Sequence, residues 1–191
     1  MGCSKTIDEK NLVERNGLKY EVNEEKPFTG KTVITYKNGQ NQFQDSYKGG
    51  EIYINFFQNG QKREESTIKN GKREGEWISW YNNGQKIFER MFINGKREGK
   101  WILWYEDGQK SSEGDYKDGR EDGKWIYWYK NGHKMKEENY EYGKLHGKWT
   151  FWYESGQKKE EGNVISGKEI GEWFYYNKDG TVKRVRDFGS Q

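Results

Sequence analysis

Turn glycines recur through this chain at a fixed spacing of 24 residues, and this period limits the possible folds more than any other feature. Three glycine positions keep the spacing in step over five consecutive segments, which chance does not produce. The three series are Gly84, Gly108, Gly132, Gly156 and Gly180; Gly75, Gly99, Gly123, Gly147 and Gly171; and Gly71, Gly95, Gly119, Gly143 and Gly167. The chain is therefore expected to be an array of structural repeats.

Each repeat is predicted to be a β-hairpin. Segments such as "WISWY" and "KIFERMF" are rich in aromatic and β-branched residues, which favour strands. Asn83-Gly84 lies between these two segments and is predicted to form a two-residue turn with positive φ at both positions. A second turn, beginning at Asn94-Gly95, leads to the next hairpin. The expected fold is all-β: an elongated, single-layer antiparallel β-meander, twisted and curled, with no helices of note.

The same pattern divides the chain into four segments. The predicted segments are a flexible tether over 1–11, an N-terminal capping hairpin over 12–30, the repeat array over 31–182, and a C-terminal edge strand and tail over 183–191. The step from Gly39 to Gly60 is only 21 residues, an odd number that would exchange the two faces of the sheet. We expect a β-bulge at Gly49-Gly50 to absorb the difference.

The even period of 24 places equivalent residues of successive repeats on the same face of the sheet. One face, here called the ring-rich face, is predicted to pack inward and to hold Trp77, Trp101, Trp125, Trp149 and Trp173, Tyr81, Tyr105, Tyr129 and Tyr153, and Phe92, Tyr116, Tyr140 and Val164. The other face carries the indole strip, which consists of Trp80, Trp104, Trp128 and Trp152 beside Glu89, Glu113, Glu137 and Glu161. A strictly repeated lysine series is predicted to begin each return strand, with Lys86 opposite Tyr81.

The indole strip has two interpretations. The strip can be a solvent-exposed face of the sheet without a binding role, with lysine stems covering the aromatic rings. It can also be a binding surface, because exposed tryptophans beside hydrogen-bond acceptors suit protein hot spots or sugar rings.

Charge and composition weigh against several other functions. The 34 basic and 31 acidic residues interleave, so that no basic block predicts nucleic-acid binding. Two histidines and one cysteine cannot complete a zinc set. The glycines repeat as turn residues and do not form a phosphate-binding loop. Glutamates and lysines recur in every repeat, whereas an active site needs one unique arrangement. We therefore predict no catalytic residues, no metal and no cofactor.

Cys3 lies in the sequence "MGCSKT", which has three interpretations. Gly-Cys before a polar tether resembles the cleavage point of a bacterial lipoprotein whose signal peptide is missing from this chain. The same letters fit the myristoylation pattern with a neighbouring cysteine for palmitoylation. The third interpretation is an unmodified start of the chain.

The segments "GDYKDGREDGKWIYWYKNGHK" and "YEYGKLHGKWTFWYESGQK" resemble MORN repeats, in the variant form common in bacteria. The resemblance covers about residues 28–182 and implies a non-enzymatic role in binding or assembly. Three functions are compatible with it. The first is a membrane-anchored lipoprotein of the cell envelope, lipidated at Cys3, that engages a protein partner through its sheet face or edges. The alternatives are an antitoxin-like cytoplasmic protein that sequesters a toxin, and a binder of carbohydrate or lipid head groups.

Overall fold

The structure, a computed structural model, describes residues 5–7, 12–15, 18–21, 30–35, 41–47 and 51–189, and these residues form strands and turns without any helix. The chain divides into two compact units, 1–96 and 97–191. The strands of the first unit are β1 (Lys5–Ile7), β2 (Leu12–Arg15), β3 (Leu18–Glu21), β4 (Gly30–Thr35), β5 (Asn41–Tyr47), β6 (Glu51–Phe56), β7 (Lys62–Lys69), β8 (Lys72–Trp80) and β9 (Lys86–Ile93). The strands of the second are β10 (Lys96–Trp104), β11 (Lys110–Lys117), β12 (Arg120–Trp128), β13 (Lys134–Glu141), β14 (Lys144–Leu145), β15 (Gly147–Trp152), β16 (Lys158–Ile165), β17 (Lys168–Tyr176) and β18 (Val182–Asp187).

Both units are antiparallel meanders. In the first unit, β4 to β9 pair in chain order, each antiparallel to the next. In the second unit, β10 to β18 pair in chain order, and the short β14 shares β13 with β15. The predicted all-β meander of hairpin repeats is therefore confirmed.

The start of the chain adds two elements to this pattern. β1 lies within the segment predicted to be a tether and pairs in parallel with β4. β2 and β3 form a separate antiparallel pair inside the segment predicted to be a capping hairpin. Cys3 lies outside the described residues, so its predicted lipidation stays a prediction.

The 21-residue step has a simple structural counterpart. β5 and β6 pair without interruption from Phe43 and Asn55 to Tyr47 and Glu51. By contrast, β7 and β8 shift register between Ser66 and Ile68, and the later strand pairs β11–β12 and β16–β17 shift at the corresponding place. The 24-residue repeats thus carry a bulge that the paired residues of the shorter repeat lack. The bulge predicted at Gly49-Gly50 lies outside the described residues.

The predicted turn at Asn83-Gly84 was wrong in type. Tyr81 N–H donates to the Gln85 carbonyl over 2.8 Å, and Gly84 N–H donates to the Tyr81 carbonyl over 3.0 Å, which defines a three-residue loop. Only Gly84 has positive φ, at 84°, and Asn83 does not. The Asn83 side-chain oxygen instead accepts the Gln85 N–H over 3.0 Å, which stabilises a turn followed by a glycine bulge.

This loop shifts the strand pairing by one residue next to the turn. Trp77 still lies opposite Arg90 and Ser79 opposite Phe88, as predicted, but Lys86 lies opposite Trp80 and not opposite Tyr81. The two-residue turn with positive φ at both positions occurs instead between hairpins, where Asn94 and Gly95 have φ of 52° and 80°. The geometry predicted for the turn within the hairpin is therefore found in the turn between hairpins.

The core lies on the ring-rich face, as predicted. Among the residues whose side chains the structure describes, the buried apolar ones are Phe92, Trp101, Tyr116, Trp125, Val164 and Trp173. In the second unit, the Trp101 ring lies 4.5 Å from Tyr116, and Tyr116 lies 5.2 Å from Trp125. Offset and edge-to-face contacts of this kind add about 0.5–1.5 kcal/mol each to the burial of the rings. Successive tryptophans of this series thus stay on one side of the sheet.

Two glycines inside strands make room for this ring stacking. A Cβ atom at Gly114 would lie 2.1 Å from Trp125 Cδ2, and one at Gly162 would lie 2.3 Å from Trp173 Cδ2. Both tryptophans are almost fully buried, with 5% and 3% of their surface exposed. Each indole therefore lies directly on the backbone of the preceding strand.

Tyrosines at the turns join one hairpin to the next. In the second unit, Tyr105 Oη donates to the Trp128 carbonyl over 2.6 Å, and Tyr129 Oη donates to the Trp152 carbonyl over 2.9 Å. Burial, followed by the charge of Glu154, raises the pKa of Tyr129 above its ordinary value, so the hydroxyl keeps its proton. Tyr153 Oη donates to the Tyr176 carbonyl in the same way, and these bonds explain why a tyrosine recurs before the turns at Gly108, Gly132 and Gly156.

Candidate functional site

The residues predicted for the indole strip lie on one face within each unit. In the first unit, Glu89 lies opposite Ile78 and Trp80 lies opposite Lys86. In the second unit, one row across the strands contains Ile102, Glu113, Ile126, Glu137, Thr150, Glu161 and Phe174. A neighbouring row pairs each tryptophan with a lysine: Trp104 with Lys110, Trp128 with Lys134, and Trp152 with Lys158.

Each glutamate of the strip is bound by the lysine three residues before it on the same strand. The Lys110 Nζ lies 2.6 Å from Glu113 Oε2, and the Lys134 Nζ lies 2.8 Å from Glu137 Oε2. The same pairing joins Lys62 to Glu65, Lys86 to Glu89 and Lys158 to Glu161. The loop at the turn sets the lysine opposite the strip tryptophan, one position earlier than predicted. The lysine side chain therefore lies on the face of the strip and reaches the glutamate on its own strand.

Two of the glutamates bind a second lysine from the neighbouring strand. Lys124 Nζ lies 2.6 Å from Glu137 Oε1, and Lys148 Nζ lies 3.1 Å from Glu161 Oε2. Burial of the Glu137 carboxyl raises its pKa, but the hydrogen bonds from both lysines outweigh this effect and hold the pKa below its ordinary value. The carboxylate therefore stays ionised and already occupied by ammonium groups.

Glu161 is the most strongly held carboxylate of the strip. Its side chain is 13% exposed. Burial raises its pKa, but hydrogen bonds outweigh this effect and lower the pKa to about 2. The donors, in order of effect, are Lys158, Tyr176 and Lys148.

The strip tryptophans are half-buried, and lysines lie close to two of their rings. Lys134 Nζ is 5.6 Å from the ring centre of Trp152, and Lys62 Nζ is 5.9 Å from that of Trp80. The solvated interpretation of the strip includes such contacts, in which lysine stems cover the rings. The remaining surface consists of partly exposed indole edges between paired charges.

A charged cluster on the ring-rich face escaped the sequence analysis. Glu138 is buried and accepts hydrogen bonds from Lys136 over 2.8 Å, Tyr140 over 3.1 Å and Trp149 over 3.1 Å. Burial, followed by the charge of Glu138, raises the pKa of Tyr127 to about 12. The sequence does contain one signal for this cluster. Glu138 occupies an inward-facing position where the neighbouring repeats have Gly114 and Gly162.

Within the described residues, no group of histidine, cysteine and acidic side chains could hold a metal ion. The same residues contain no helix long and apolar enough to cross a membrane.

The fold and the repeated surface define a repeat protein built from stacked antiparallel hairpins. A family model, the MORN repeat variant, matches residues 73–94, 97–118, 121–142 and 145–165, and the chain is therefore a MORN repeat protein. MORN repeats are generally binding and scaffold modules and are generally non-enzymatic. No curated protein matches this chain.

Proposed function

We propose that this protein is a non-enzymatic scaffold that binds a protein partner on its indole strip and is anchored to the cell envelope as a lipoprotein through Cys3. The observation that supports partner binding is the regular row of half-buried tryptophans, each beside a lysine–glutamate pair. Tryptophan is enriched at the energetic centres of protein interfaces because one side chain supplies a large apolar area and one hydrogen-bond donor.

The paired charges favour a protein over a carbohydrate as the ligand of the strip. A sugar ring stacked on an indole needs nearby acceptors, such as carboxylates, for the hydrogen bonds that its hydroxyl groups donate. Here Glu137 and Glu161 each already accept hydrogen bonds from two lysines. A protein partner can instead pack on the indole edges and leave these ion pairs as a polar rim.

Site-specific photo-crosslinking in cells tests the strip. A photoreactive phenylalanine analogue at position 128 places the probe on the strip, and the same probe at Tyr127 places it on the ring-rich face as a matched control. We expect one protein to be captured from position 128 and not from position 127. Equal capture from both positions, or none from position 128, would contradict the proposed surface.

The captured partner then allows a quantitative test. Trp128→Ala is expected to weaken its binding by about tenfold, as for a central interface tryptophan. Tyr127→Phe serves as the control on the opposite face and should leave the affinity unchanged. If the strip instead binds sugars, a glycan array will give a signal that Trp128→Ala abolishes, and the protein-partner proposal fails.

Membrane attachment is tested separately through Cys3. Mass spectrometry of the native N-terminus should show a lipid-modified cysteine, and Cys3→Ser should move the protein from the membrane fraction to the soluble fraction. An unmodified Cys3 in a soluble protein would contradict the lipoprotein proposal and leave the antitoxin-like alternative.

A further inference from the structure

The last strand, β18, has an open edge in the described part of the chain. β18 pairs with β17 on one side, and no described strand pairs with its other side. Phe188 N–H donates to the Gly171 carbonyl over 3.0 Å and so points toward β17, while Gly171 N–H donates to the Gly189 carbonyl. Since these groups alternate along an antiparallel strand, Val185 and Asp187 point theirs outward. β18 thus presents free donors and acceptors to a further strand.

The side chains of β18 divide between two faces. Val182 and Val185 lie opposite Tyr176 and Phe174, and they are 54% and 47% exposed. Arg184 lies on the other face, where its guanidinium is 4.1 Å from the ring centre of Tyr175. The strand therefore offers an exposed apolar surface on one face and cations on the other.

A cleft of about 230 Å³ adjoins this strand, and three cations line it: Lys159, Lys183 and Arg184. Its other walls include Glu160 and Tyr175. Lys159 lies over an aromatic ring, as Arg184 does, but none of the three cations forms an ion pair with any described residue. This arrangement contrasts with the indole strip, where the repeated lysine before each glutamate is neutralised by it. A carboxylate of another molecule can therefore form, in this cleft, the ion pair that these three cations do not form with any described residue.

We propose that β18 receives an extended, acidic segment of a partner protein as an additional strand, with an acidic side chain of that segment in the cationic cleft. Backbone pairing supplies the affinity of such strand addition, and pockets for alternate side chains supply its specificity. A second copy of β18 fits less well, because antiparallel pairing centred on the outward-pointing Val185 sets Arg184 against Arg186, and like charges directly opposite each other are destabilising. β18 lies beyond Trp152, the last tryptophan of the indole strip, with β16 and β17 between them.

Two pairs of variants test the two parts of the proposal, with fluorescence anisotropy of a labelled peptide in which threonine and glutamate alternate. Val185→Pro removes an outward N–H without disturbing the ladder to β17, and Val185→Thr is its matched control. We expect Val185→Pro to weaken binding at least about fivefold and Val185→Thr to change it less than about twofold. The double variant Lys183→Glu/Arg184→Glu should weaken binding at least about tenfold, and Lys117→Glu/Lys144→Glu, which changes net charge equally elsewhere, should have a much smaller effect.

Several results would overturn this proposal. If all variants bind the peptide with equal affinity, the peptide does not bind at the edge of β18. If Val185→Pro binds as wild type while Lys183→Glu/Arg184→Glu loses binding, the cleft holds a simple anion, and inorganic phosphate or phosphatidylglycerol vesicles should then compete. Circular dichroism and urea unfolding verify that each variant is folded. Trp128→Ala should bind the peptide as wild type, so failure here and failure of the indole strip are distinguishable.

Discussion

Adding one methyl group at Gly114 should destabilise the array severely, because the space above this residue is filled by an indole. The new Cβ would lie 2.1 Å from Trp125 Cδ2 and 2.3 Å from Trp125 Cε2, whereas ordinary contacts begin at 3.4 Å. The indole, with 5% of its surface exposed, must therefore move by more than an ångström. Its neighbours Tyr116 and Tyr140, whose ring centres lie 5.2 and 6.4 Å away, leave little room for this movement.

We expect Gly114→Ala to lower the free energy of unfolding by about 2–3 kcal/mol, within the cost of overpacking a core and slightly reduced by the better strand propensity of alanine. Trp125→Ala alone should cost about 3–5 kcal/mol, as for other buried aromatic residues. The double variant should cost about as much as Trp125→Ala alone, because the added Cβ then meets no ring. Urea unfolding followed by far-ultraviolet circular dichroism measures all three free energies.

Two results would refute this reasoning. The first is a cost of less than about 0.5 kcal/mol for Gly114→Ala, the size of an ordinary surface substitution. The second is additivity of the two single variants, which would show that the methyl group and the indole do not compete for the same space. Gly162 and Trp173 repeat the geometry with a closest distance of 2.3 Å and provide an independent replicate in the same unit.

Three further predictions follow from the turns and the charged row. Tyr142 has a φ of 51° at a turn position where three other repeats have asparagine or aspartate, so Tyr142→Asn should stabilise the protein by about 1 kcal/mol in thermal unfolding, and Asp118→Tyr should do the reverse. Asp107 accepts the Gln109 N–H over 2.9 Å, and Asp107→Ala should cost about 0.5–1.5 kcal/mol in urea unfolding. The folded pKa of Glu161 is lowered to about 2, so its contribution to stability is complete above the unfolded pKa of about 4.3 and is lost as the pH falls toward 2. Glu161→Gln should therefore be less stable than wild type at pH 7, and the difference should vanish near pH 2.

The period and the alternation of faces could be predicted from the sequence because both depend only on spacing. Twenty-four is even, so Trp101, Trp125 and Trp149 necessarily fall on one side of a meander. The two kinds of turn could not be assigned from composition, because Asn-Gly satisfies both. Asn94 and Gly95 adopt positive φ, whereas Asn83 accepts a hydrogen bond two residues on and leaves only the glycine with positive φ.

The error in turn type had a consequence for the candidate site. The three-residue loop moves Lys86 opposite Trp80, and this shift brings lysine and glutamate together on the face of the strip. Sequence spacing alone could not distinguish a glutamate open to a ligand from one already bound by lysine. The side chains of the strip were therefore predictable as a set, while their pairing was not.

Departures from the repeat are where individual hairpins can acquire their own properties. The ring-rich face accepts glycine at 114 and 162, and in both places the next tryptophan is almost fully buried. In the repeat between them, the equivalent residue is Glu138, whose side chain prevents the next indole from packing on the strand backbone. Trp149 instead donates its indole N–H to the Glu138 carboxylate and stays half-buried. A buried carboxylate is tolerated only because three donors satisfy it, since an unpaired one would cost several kcal/mol. The repeat thus fixes the architecture through spacing, and single substitutions within it, such as Glu138 or the unpaired cations at β18, give one hairpin a chemistry that its neighbours lack.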